Sequence, residues 1–208
     1  MNANHPEKDS IITVDPIREL TDIARIKKNL SGHPRNLALF VTGINSNLRG
    51  SDLLSITVGM VIGLKVGECF QIREQKTGKV RQIPLSKAVH ATINALLVTL
   101  KEPQDTDLLF QSRKGSSKGK RKGESVERSN HSMTIQSLNR LVNEWCHGIK
   151  GNFGAHTLRK TFGYVQRVHF GVGLPELMKA FNHSSQAQTL KYIGVSDETI
   201  HDIFMNEI

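Results

Sequence analysis

The most informative stretch of this chain begins His156-Thr157-Leu158-Arg159 and continues through Phe181-Asn182-His183-Ser184-Ser185 to Tyr192. It places two imidazoles, a guanidinium and a phenol within one short segment near the carboxyl end. A phenol, with an ordinary pKa of about 10, is a poor nucleophile unless cationic and hydrogen-bonding groups surround its target. The stretch supplies such groups, so it predicts a site that clamps a phosphate beside a phenol.

The charge of the whole chain indicates the same kind of substrate. Its 208 residues carry a net charge of +9, with 28 lysines and arginines against 19 aspartates and glutamates. Such an excess favours polyanionic partners, with nucleic acid first and an anionic membrane second. A basic surface without a specific partner is the alternative.

Nothing in the sequence indicates a membrane protein or an exported one. No stretch reaches the roughly 18–20 apolar residues of a membrane span, and the polar start MNANHPEKDS has no apolar signal core. Two cysteines, Cys69 and Cys146, form no disulfide framework and are expected to be reduced. The expected location is the cytoplasm of a prokaryotic cell, in association with the nucleoid.

The amino-terminal third is expected to be helical after a flexible tail at residues 1–14. Asp15-Pro16 has the composition of a helix start, with a capping residue before a proline. A second helix is predicted from Pro34 to about Thr42, with Gly43 ending it and a polar loop over residues 44–47.

The middle of the chain changes to β-type patterning and then returns to helix. Glycines at 59, 63 and 67 punctuate it, and a hairpin is predicted with strands 68–73 and 80–85 around a turn at 75–79. Further helices are predicted over residues 86–100, 134–149, 155–170, 174–181 and 185–192, and from Ser196 onward.

Each candidate residue taken alone has an ordinary explanation. An H-x-x-R step such as His156 and Arg159 shares a helix face, but it is usually a surface pair. His183 could cap a helix, and Tyr192 could simply pack in one. No carboxylate or cysteine pair accompanies the histidines at metal-ligand spacing, and neither a P-loop nor a G-x-S-x-G elbow occurs. Serine and cysteine triads stay open at this point.

Two more basic residues complete a longer pattern, whose order is Arg49, Lys76, His156, Arg159, His183 and Tyr192. Over roughly residues 15–205 this order and spacing resemble the catalytic domain of the tyrosine recombinases, the phage-integrase family. The supporting motifs are Thr42-Gly43-Ile44 through Leu48-Arg49-Gly50-Ser51-Asp52-Leu53, Gln75-Lys76-Thr77-Gly78-Lys79, the H-x-x-R step, Asn182-His183-Ser184-Ser185 and Tyr192.

Two positions depart from the family pattern. Asn182 stands where glycine usually precedes the second histidine, and asparagine tolerates the left-handed backbone that such a turn needs. Asp52 stands where the family often has glutamate. The resemblance implies an α+β fold that is mainly helical, with a small antiparallel sheet or hairpin on one side. Residues 15–208 would form the catalytic domain, with no separate amino-terminal DNA-clamping domain unless the chain is a fragment.

The resemblance also implies a mechanism that needs no metal and no cofactor. Tyr192 would attack a DNA phosphodiester and form a 3′-phosphotyrosyl link, while Arg49 and Arg159 neutralise the phosphate oxygens. Lys76 would protonate the leaving 5′ oxygen. His156 would accept or share the tyrosine proton, and His183 would hydrogen-bond the phosphate.

Partners and alternatives follow from the same resemblance. Double-stranded DNA is the expected partner, with a tetramer on paired DNA sites and a monomer in solution. The last helix would dock on a neighbouring protomer, or on its own domain, through Ile200, Ile203 and Phe204. A type IB topoisomerase and a non-catalytic DNA-binding regulator are the alternative functions.

Further DNA contacts are expected from basic residues outside the six. Lys79 and Arg81 belong to the hairpin, and a basic loop at 113–128 supplies Arg113, Lys114, Lys118, Lys120, Arg121 and Lys122. A solvated loop without a ligand is the alternative. The DNA target, and the choice among integration, excision, inversion and resolution, stay open.

Overall fold

A computed structural model describes residues 13–112 and 130–194. Within these ranges the chain is mainly helical and has one small antiparallel sheet, as predicted. The elements, in chain order, are α1 Leu20–Asn29, α2 Pro34–Ser46, α3 Gly50–Leu54, α4 Val58–Val61, β1 Cys69–Arg73, β2 Val80–Pro84, α5 Lys87–Leu97, α6 Ile135–Trp145, α7 Ala155–Val168, α8 Leu174–Phe181 and α9 Gln186–Ile193.

Helix α2 lies at the centre of the core and packs against α5 and α7. The prediction that it ends at Gly43 was wrong, because the helix continues through the predicted loop to Ser46 and ends at Asn47, whose φ is 54°. Gly43 instead marks a close approach of two helices. A Cβ atom there would lie 2.6 Å from Cδ1 of Leu158, so a larger residue fits only if the Leu158 side chain or α7 shifts.

Residues 13–19, which we call the amino-terminal strap, precede α1 and are not helical, although the sequence predicted a helix start at Asp15. The carboxylate of Asp15 accepts a hydrogen bond from the backbone of Asn152 at 2.9 Å. The amide of Ile17 donates to Oγ1 of Thr161 at 2.8 Å. These bonds to α7 and to the loop before it compete with a helical start, so α1 begins only at Leu20.

The predicted hairpin is confirmed. Strands β1 and β2 pair with Phe70 opposite Ile83, and Phe70 and Ile72 are buried on one face. The β-type patterning expected before it was partly wrong, because Val58–Val61 form the helical turn α4. Gly59 lies in that turn, where a Cβ atom would come within 2.7 Å of the Cβ of Asp105.

Helices α8 and α9 are joined by a tight turn that brings two site candidates together. Asn182 ends α8 in the left-handed conformation, with φ of 57°, as the sequence predicted. Ser185 then caps α9 by accepting a hydrogen bond from the amide of Gln188, and Gly194 ends it. His183 and Tyr192 therefore face each other across one turn and one short helix. The helix predicted from Ser196 lies outside the described residues.

Within residues 13–112 and 130–194, no helix has the length and apolarity that a membrane crossing requires.

Candidate active site

Arg49 is held at the start of α3 between two buried carboxylates. Its Nη1 atom lies 2.9 Å from Oε2 of Glu74 and 3.9 Å from Oδ2 of Asp52. About a fifth of the Arg49 side chain is exposed, whereas the two carboxylates are almost wholly buried. The guanidinium is therefore fixed on its buried side by the carboxylates, while part of the side chain remains exposed to solvent.

The turn that carries Lys76 is fixed on both sides. The amide of Gln75 donates to Oδ1 of Asp52 at 2.9 Å. The hydroxyl of Thr77 donates to Oε2 of Glu74 at 2.6 Å, and the amide of Gly78 donates to the Glu74 carbonyl at 2.8 Å. Lys76 itself is exposed. Its backbone is anchored while its ammonium group extends toward solvent.

Glu74 is ionised at any ordinary pH. Burial by itself would raise the pKa of this carboxyl. The hydrogen bond from Thr77, the ion pair with Arg49 and the hydrogen bond from Arg81 outweigh burial and lower the pKa to about 2. The carboxylate thus acts as a fixed negative charge that orients the arginines.

Arg159 projects from α7 into the interior and is 3% exposed. Its Nη2 donates to the carbonyl of Phe181 at 3.2 Å, and its Cζ atom lies 5.2 Å from the centre of the Phe181 ring. Nε and Nη1 are buried without a hydrogen-bond partner. Burial lowers the pKa of the guanidinium, which still remains cationic in proteins. A buried cation with two unused donors can form charge-assisted hydrogen bonds to an anionic oxygen.

His156 lies at the start of the same helix and keeps contact with solvent. Desolvation by the surrounding protein lowers the pKa of its imidazole, and the charges of Arg159, Lys160, Arg49 and Lys76 lower it further. The neutral ring therefore predominates near pH 7 and can accept a proton.

His183 is oriented by a buried threonine on α9. Its Nδ1 atom lies 3.1 Å from Oγ1 of Thr189, and that hydroxyl donates to the carbonyl of Ser185 at 3.3 Å. A hydroxyl has one hydrogen, so a hydroxyl that donates to Ser185 accepts from the imidazole. This arrangement favours the neutral tautomer that is protonated on Nδ1. Burial, and then the charges of Arg159 and Arg49, lower the pKa of the His183 ring.

Replacing Thr189 with valine tests this arrangement. We expect the His183 tautomer that is protonated on Nδ1 to lose population, because its acceptor is gone. The free energy of unfolding should fall by about 1 kcal/mol. Nitrogen-15 shifts of the imidazole report the tautomer, and Thr189→Ser, which keeps the hydroxyl, is the control. An unchanged tautomer ratio in Thr189→Val would show that the threonine does not set it.

Tyr192 is half-buried in a cluster of rings. Its ring centre lies 5.2 Å from that of His183 and 5.3 Å from that of Phe181, both edge-on. Nζ of Lys160 lies 5.5 Å from the same ring centre. Burial raises the pKa of the phenol, and the charges of Arg159 and Arg49 offset this only in part. The phenol is therefore neutral near pH 7 and needs a base to become a nucleophile.

A cavity of about 370 Å³ opens beside the phenol. Its walls come from the amino-terminal strap, α7 and α9, and the lining residues are Thr13, Val14, His156, Lys160, Gln188, Lys191 and Tyr192. His156 and Tyr192 thus face one space. The charges of Arg49 and Arg159 lower the pKa of His156, His183 and Tyr192, and the charge of Lys76 also lowers that of His156.

The two predicted DNA-contacting residues of the hairpin have partners within the protein. Nζ of Lys79 donates to Oδ1 of Asn182 at 3.0 Å. Nη1 of Arg81 donates to the carbonyl of Asn47 at 3.1 Å and to Oε1 of Glu74 at 3.3 Å. Their role in binding DNA stays a prediction. The remaining predicted contacts lie outside the described residues, namely Arg113, Lys114, Lys118, Lys120, Arg121 and Lys122.

Four residues that shape the site were not predicted from the sequence. Glu74 pairs with Arg49, and the carbonyl of Asn47 accepts a hydrogen bond from Arg81. Thr189 orients His183, and Lys160 lies over the ring of Tyr192. Lys160 also donates to the carbonyl of Val14 at 2.8 Å. Of these four residues, only Lys160 could have been suspected from the sequence, because it is a cation directly after the H-x-x-R step. Within the described ranges, no group of three or more potential metal ligands is placed to bind a metal ion.

Comparison with known proteins decides the family. The model of the phage integrase family matches residues 11–199 of the chain. The chain belongs to the phage integrase family. A relative from Bacillus subtilis (strain 168), the probable integrase/recombinase YoeC, is 33% identical over 191 residues, which are 89% of this chain and 92% of that protein.

Solved structures agree with the fold. The XerA recombinase matches with a TM-score of 0.67 and 15% identity, over 93% of this chain and 66% of that chain. The XerH recombinase bound to its palindromic difH substrate matches with a TM-score of 0.65 and 18% identity, over 93% of this chain and 53% of that chain. The chain thus spans between half and two thirds of these two recombinases.

These findings confirm three of the predictions made from the sequence. The chain has the fold of a tyrosine recombinase catalytic domain, it belongs to the predicted family, and members of that family are DNA strand-transferring enzymes. The division into a tail at 1–14 and a domain at 15–208 stays a prediction. Thr13 and Val14, at the end of that tail, accept hydrogen bonds from Asn152 and Lys160.

Proposed function

We propose that Arg49, Lys76, His156, Arg159, His183 and Tyr192 form a single DNA strand-transfer site. The observation that carries the proposal is the packing of Arg159 and Tyr192 against one ring, that of Phe181, whose centre lies 5.2 Å from Cζ of Arg159 and 5.3 Å from the ring centre of Tyr192. A neutral phenol lies within electrostatic reach of a buried guanidinium that has two unpaired donors. A phosphodiester that met those donors would lie next to the phenol, as nucleophilic attack requires.

The reaction has two balanced steps. In the first, Oη of Tyr192 attacks the phosphorus, a P–O bond to tyrosine forms and the bond to the 5′ oxygen breaks. His156 takes the phenol proton, and Lys76 gives a proton to the leaving 5′ oxygen. In the second, a 5′-hydroxyl attacks the phosphorus and gives its proton to Lys76, the P–O bond to tyrosine breaks, and His156 returns a proton to the phenol oxygen. One phosphodiester is exchanged for another, so no nucleotide is consumed.

The two arginines and His183 stabilise the charge that builds on the phosphate. Arg49 would contact the phosphate from the solvent-exposed side of the site, and Arg159 would contact it from the buried face of α7. Preorganised donors of this kind lower the barrier by about 3–4 kcal/mol each, because they need no reorganisation during the reaction. His183 can add a third donor once its Nε2 carries a proton.

The proposed substrate is double-stranded DNA. The net charge of +9 supports this, as does the match to XerH, which is bound to a DNA substrate. Two copies of the chain on each of two DNA sites would form the proposed tetramer, and the free protein would be a monomer. The proposed place of action is the cytoplasm, at the nucleoid.

Covalent trapping tests the proposed function. The probe is a pool of nicked duplexes with a randomised centre, in which cleavage near the nick releases a short 5′-hydroxyl fragment and strands the enzyme on DNA. We expect a denaturant-resistant adduct in which the protein carries the 3′ phosphate of the labelled strand. The trapped sequences would then define the target. Absence of any adduct would favour the alternative function, that of a non-catalytic DNA-binding regulator.

Recombination assays separate the remaining enzymatic alternative. With the trapped sequence placed twice on one supercoiled plasmid, we expect exchange between the two copies. Relaxation of a plasmid that carries a single copy, without exchange when two are present, would indicate a type IB topoisomerase instead.

The pH dependence of cleavage tests His156. Its pKa is lowered below the ordinary value of 6.5, so the neutral base persists into mildly acidic solution. We expect the single-turnover cleavage rate to be level above about pH 6.5 and to fall only below it. His156→Gln should cleave more slowly and lose this acidic limb. A midpoint above 6.5, or an unchanged limb in the variant, would assign the titration to another group.

A further inference from the structure

Glu74 is an acidic residue in a place where a phosphate-binding site would be expected to exclude one. Its Oε2 atom lies 2.9 Å from Nη1 of Arg49, and its Oε1 lies 3.3 Å from Nη1 of Arg81. The carboxylate is almost wholly buried and has a pKa of about 2. A permanent negative charge beside Arg49 repels a DNA phosphate, so its presence requires an explanation.

The contacts of Arg81 show what this carboxylate connects. Arg81 comes from β2 and also donates to the carbonyl of Asn47 at 3.1 Å, two residues before Arg49. Asn47 in turn donates through Nδ2 to the carbonyl of Ala180 in α8 at 2.7 Å. Glu74 therefore lies at the junction of the hairpin, the start of α3 and the end of α8.

Geometry indicates that Arg49 needs such a support. It is the residue before α3, with extended backbone and no side-chain cap contact, and its long side chain has several rotatable bonds. The pair with Asp52 is longer, at 3.9 Å, and Oδ1 of Asp52 already accepts from Gln75. Glu74 is thus the nearest group that fixes the direction of the guanidinium.

We propose that Glu74 is a positioning residue for DNA cleavage, which fixes Arg49 on one carboxylate oxygen and Arg81 on the other. Arg49 then presents its free donors to the scissile phosphate. The inference rests on the proposed role of Arg49 in strand transfer. It implies that the carboxylate weakens DNA binding and accelerates cleavage, two effects that a residue serving stability alone would not combine.

Glu74→Gln separates the two effects. The amide keeps the size and removes the charge. Single-turnover cleavage at saturating DNA should fall about tenfold or more, because a guanidinium that is misplaced by an ångström loses much of its effect. The Kd for the trapped nicked duplex should decrease, since one negative charge is lost. Glu144→Gln, the same change at an exposed position on α6, controls for charge and should leave cleavage unchanged.

Two modified substrates identify the group through which Glu74 acts. A methylphosphonate at the scissile position lacks the charge that Arg49 neutralises, so the penalty of Glu74→Gln should shrink on it. A substrate with sulfur in place of the bridging 5′ oxygen has a leaving group that needs no protonation, so its cleavage does not need Lys76. The loss of cleavage rate caused by Glu74→Gln should therefore persist on it. A penalty that disappears on the sulfur substrate would overturn the proposal in favour of an action through the Lys76 turn. Unchanged cleavage in Glu74→Gln would overturn it outright.

A milder variant covers the case in which Glu74→Gln does not fold. Thr77→Val removes the hydroxyl that donates to Oε2 of Glu74 and leaves every charge in place. We expect slower cleavage by about threefold, with unchanged Kd, and the same response to the methylphosphonate. Equal cleavage by Thr77→Val and wild type would count against the proposal. Failure of the wild-type chain to form any adduct would instead remove the proposed function, whatever the variants do.

Discussion

We expect the Tyr192→Phe variant to form no covalent adduct with DNA while it folds and binds DNA like the wild type. The substitution removes one oxygen and keeps the ring, so the contacts with Phe181, His183 and Lys160 can persist. The lost atom makes no hydrogen bond within residues 13–112 and 130–194. The cost in stability should therefore be small, below about 1 kcal/mol, whereas loss of the nucleophile leaves no route to the phosphotyrosine.

Tyr164→Phe is the matched control. Tyr164 lies on α7, where its ring contacts His169 and Arg18, and the same oxygen is removed there. Denaturing gels should show the adduct with Tyr164→Phe and not with Tyr192→Phe, and peptide mapping of the wild-type adduct should place the nucleotide on Tyr192. An adduct that survives in Tyr192→Phe would assign the nucleophile to another side chain.

The parts of the site that are predictable from sequence depend on short-range rules. The Ser86 and Ser185 caps, the left-handed Asn182 and the stop at Gly194 involve only residues within a few positions of one another. Local sequence is therefore enough to predict the turn between His183 and Tyr192. The family pattern added the distant residues Arg49 and Lys76, which no local rule connects to that turn.

Long-range packing explains the predictions that were wrong. Gly43 has the local character of a helix end, yet the helix continues through it, and the glycine is instead explained by Leu158 of α7, which leaves little room for a side chain. Asp15 has the character of an N-cap, yet its carboxylate bonds to Asn152, far along the chain. Tertiary contacts of this kind override local propensity and leave no periodic signal.

The same reasoning explains why Glu74 and Thr189 were missed. Glu74 is one charged residue at the end of a strand next to a turn, where charged residues are common, and only the fold brings it to Arg49. Thr189 is one polar residue within a short helix, and its burial against His183 depends on the angle between α8 and α9. Residues that orient catalytic groups act through geometry, which the sequence of a single chain does not contain.

Arg159→Lys should be the most damaging substitution that keeps the charge. Lysine cannot form two parallel hydrogen bonds, and it cannot keep both the bond to the Phe181 carbonyl and a fork toward phosphate. We expect single-turnover cleavage to fall by about 10²–10³, with DNA affinity reduced far less because the net charge is the same. The measurement is adduct formation at saturating nicked duplex, beside a titration of binding.

Arg167→Lys is the matched control, because Arg167 lies two turns later on α7 and also donates to a backbone carbonyl at 3.2 Å, that of Val172. Cleavage by this variant should stay within about twofold of wild type. A similar loss in both variants would mean that α7 needs its arginines for folding and would remove the catalytic interpretation of Arg159.

Stability provides an independent test of the same residue. A buried guanidinium with two unpaired donors is costly without DNA, so Arg159→Met should leave the Tm unchanged or raise it while cleavage is lost. Saturating duplex stabilises a protein that binds it, and that increment should be smaller in Arg159→Met than in wild type. A large fall in Tm would instead show that Arg159 serves mainly to join α7 to the end of α8. Opposite changes in stability and activity are the pattern expected of a residue kept for phosphate chemistry.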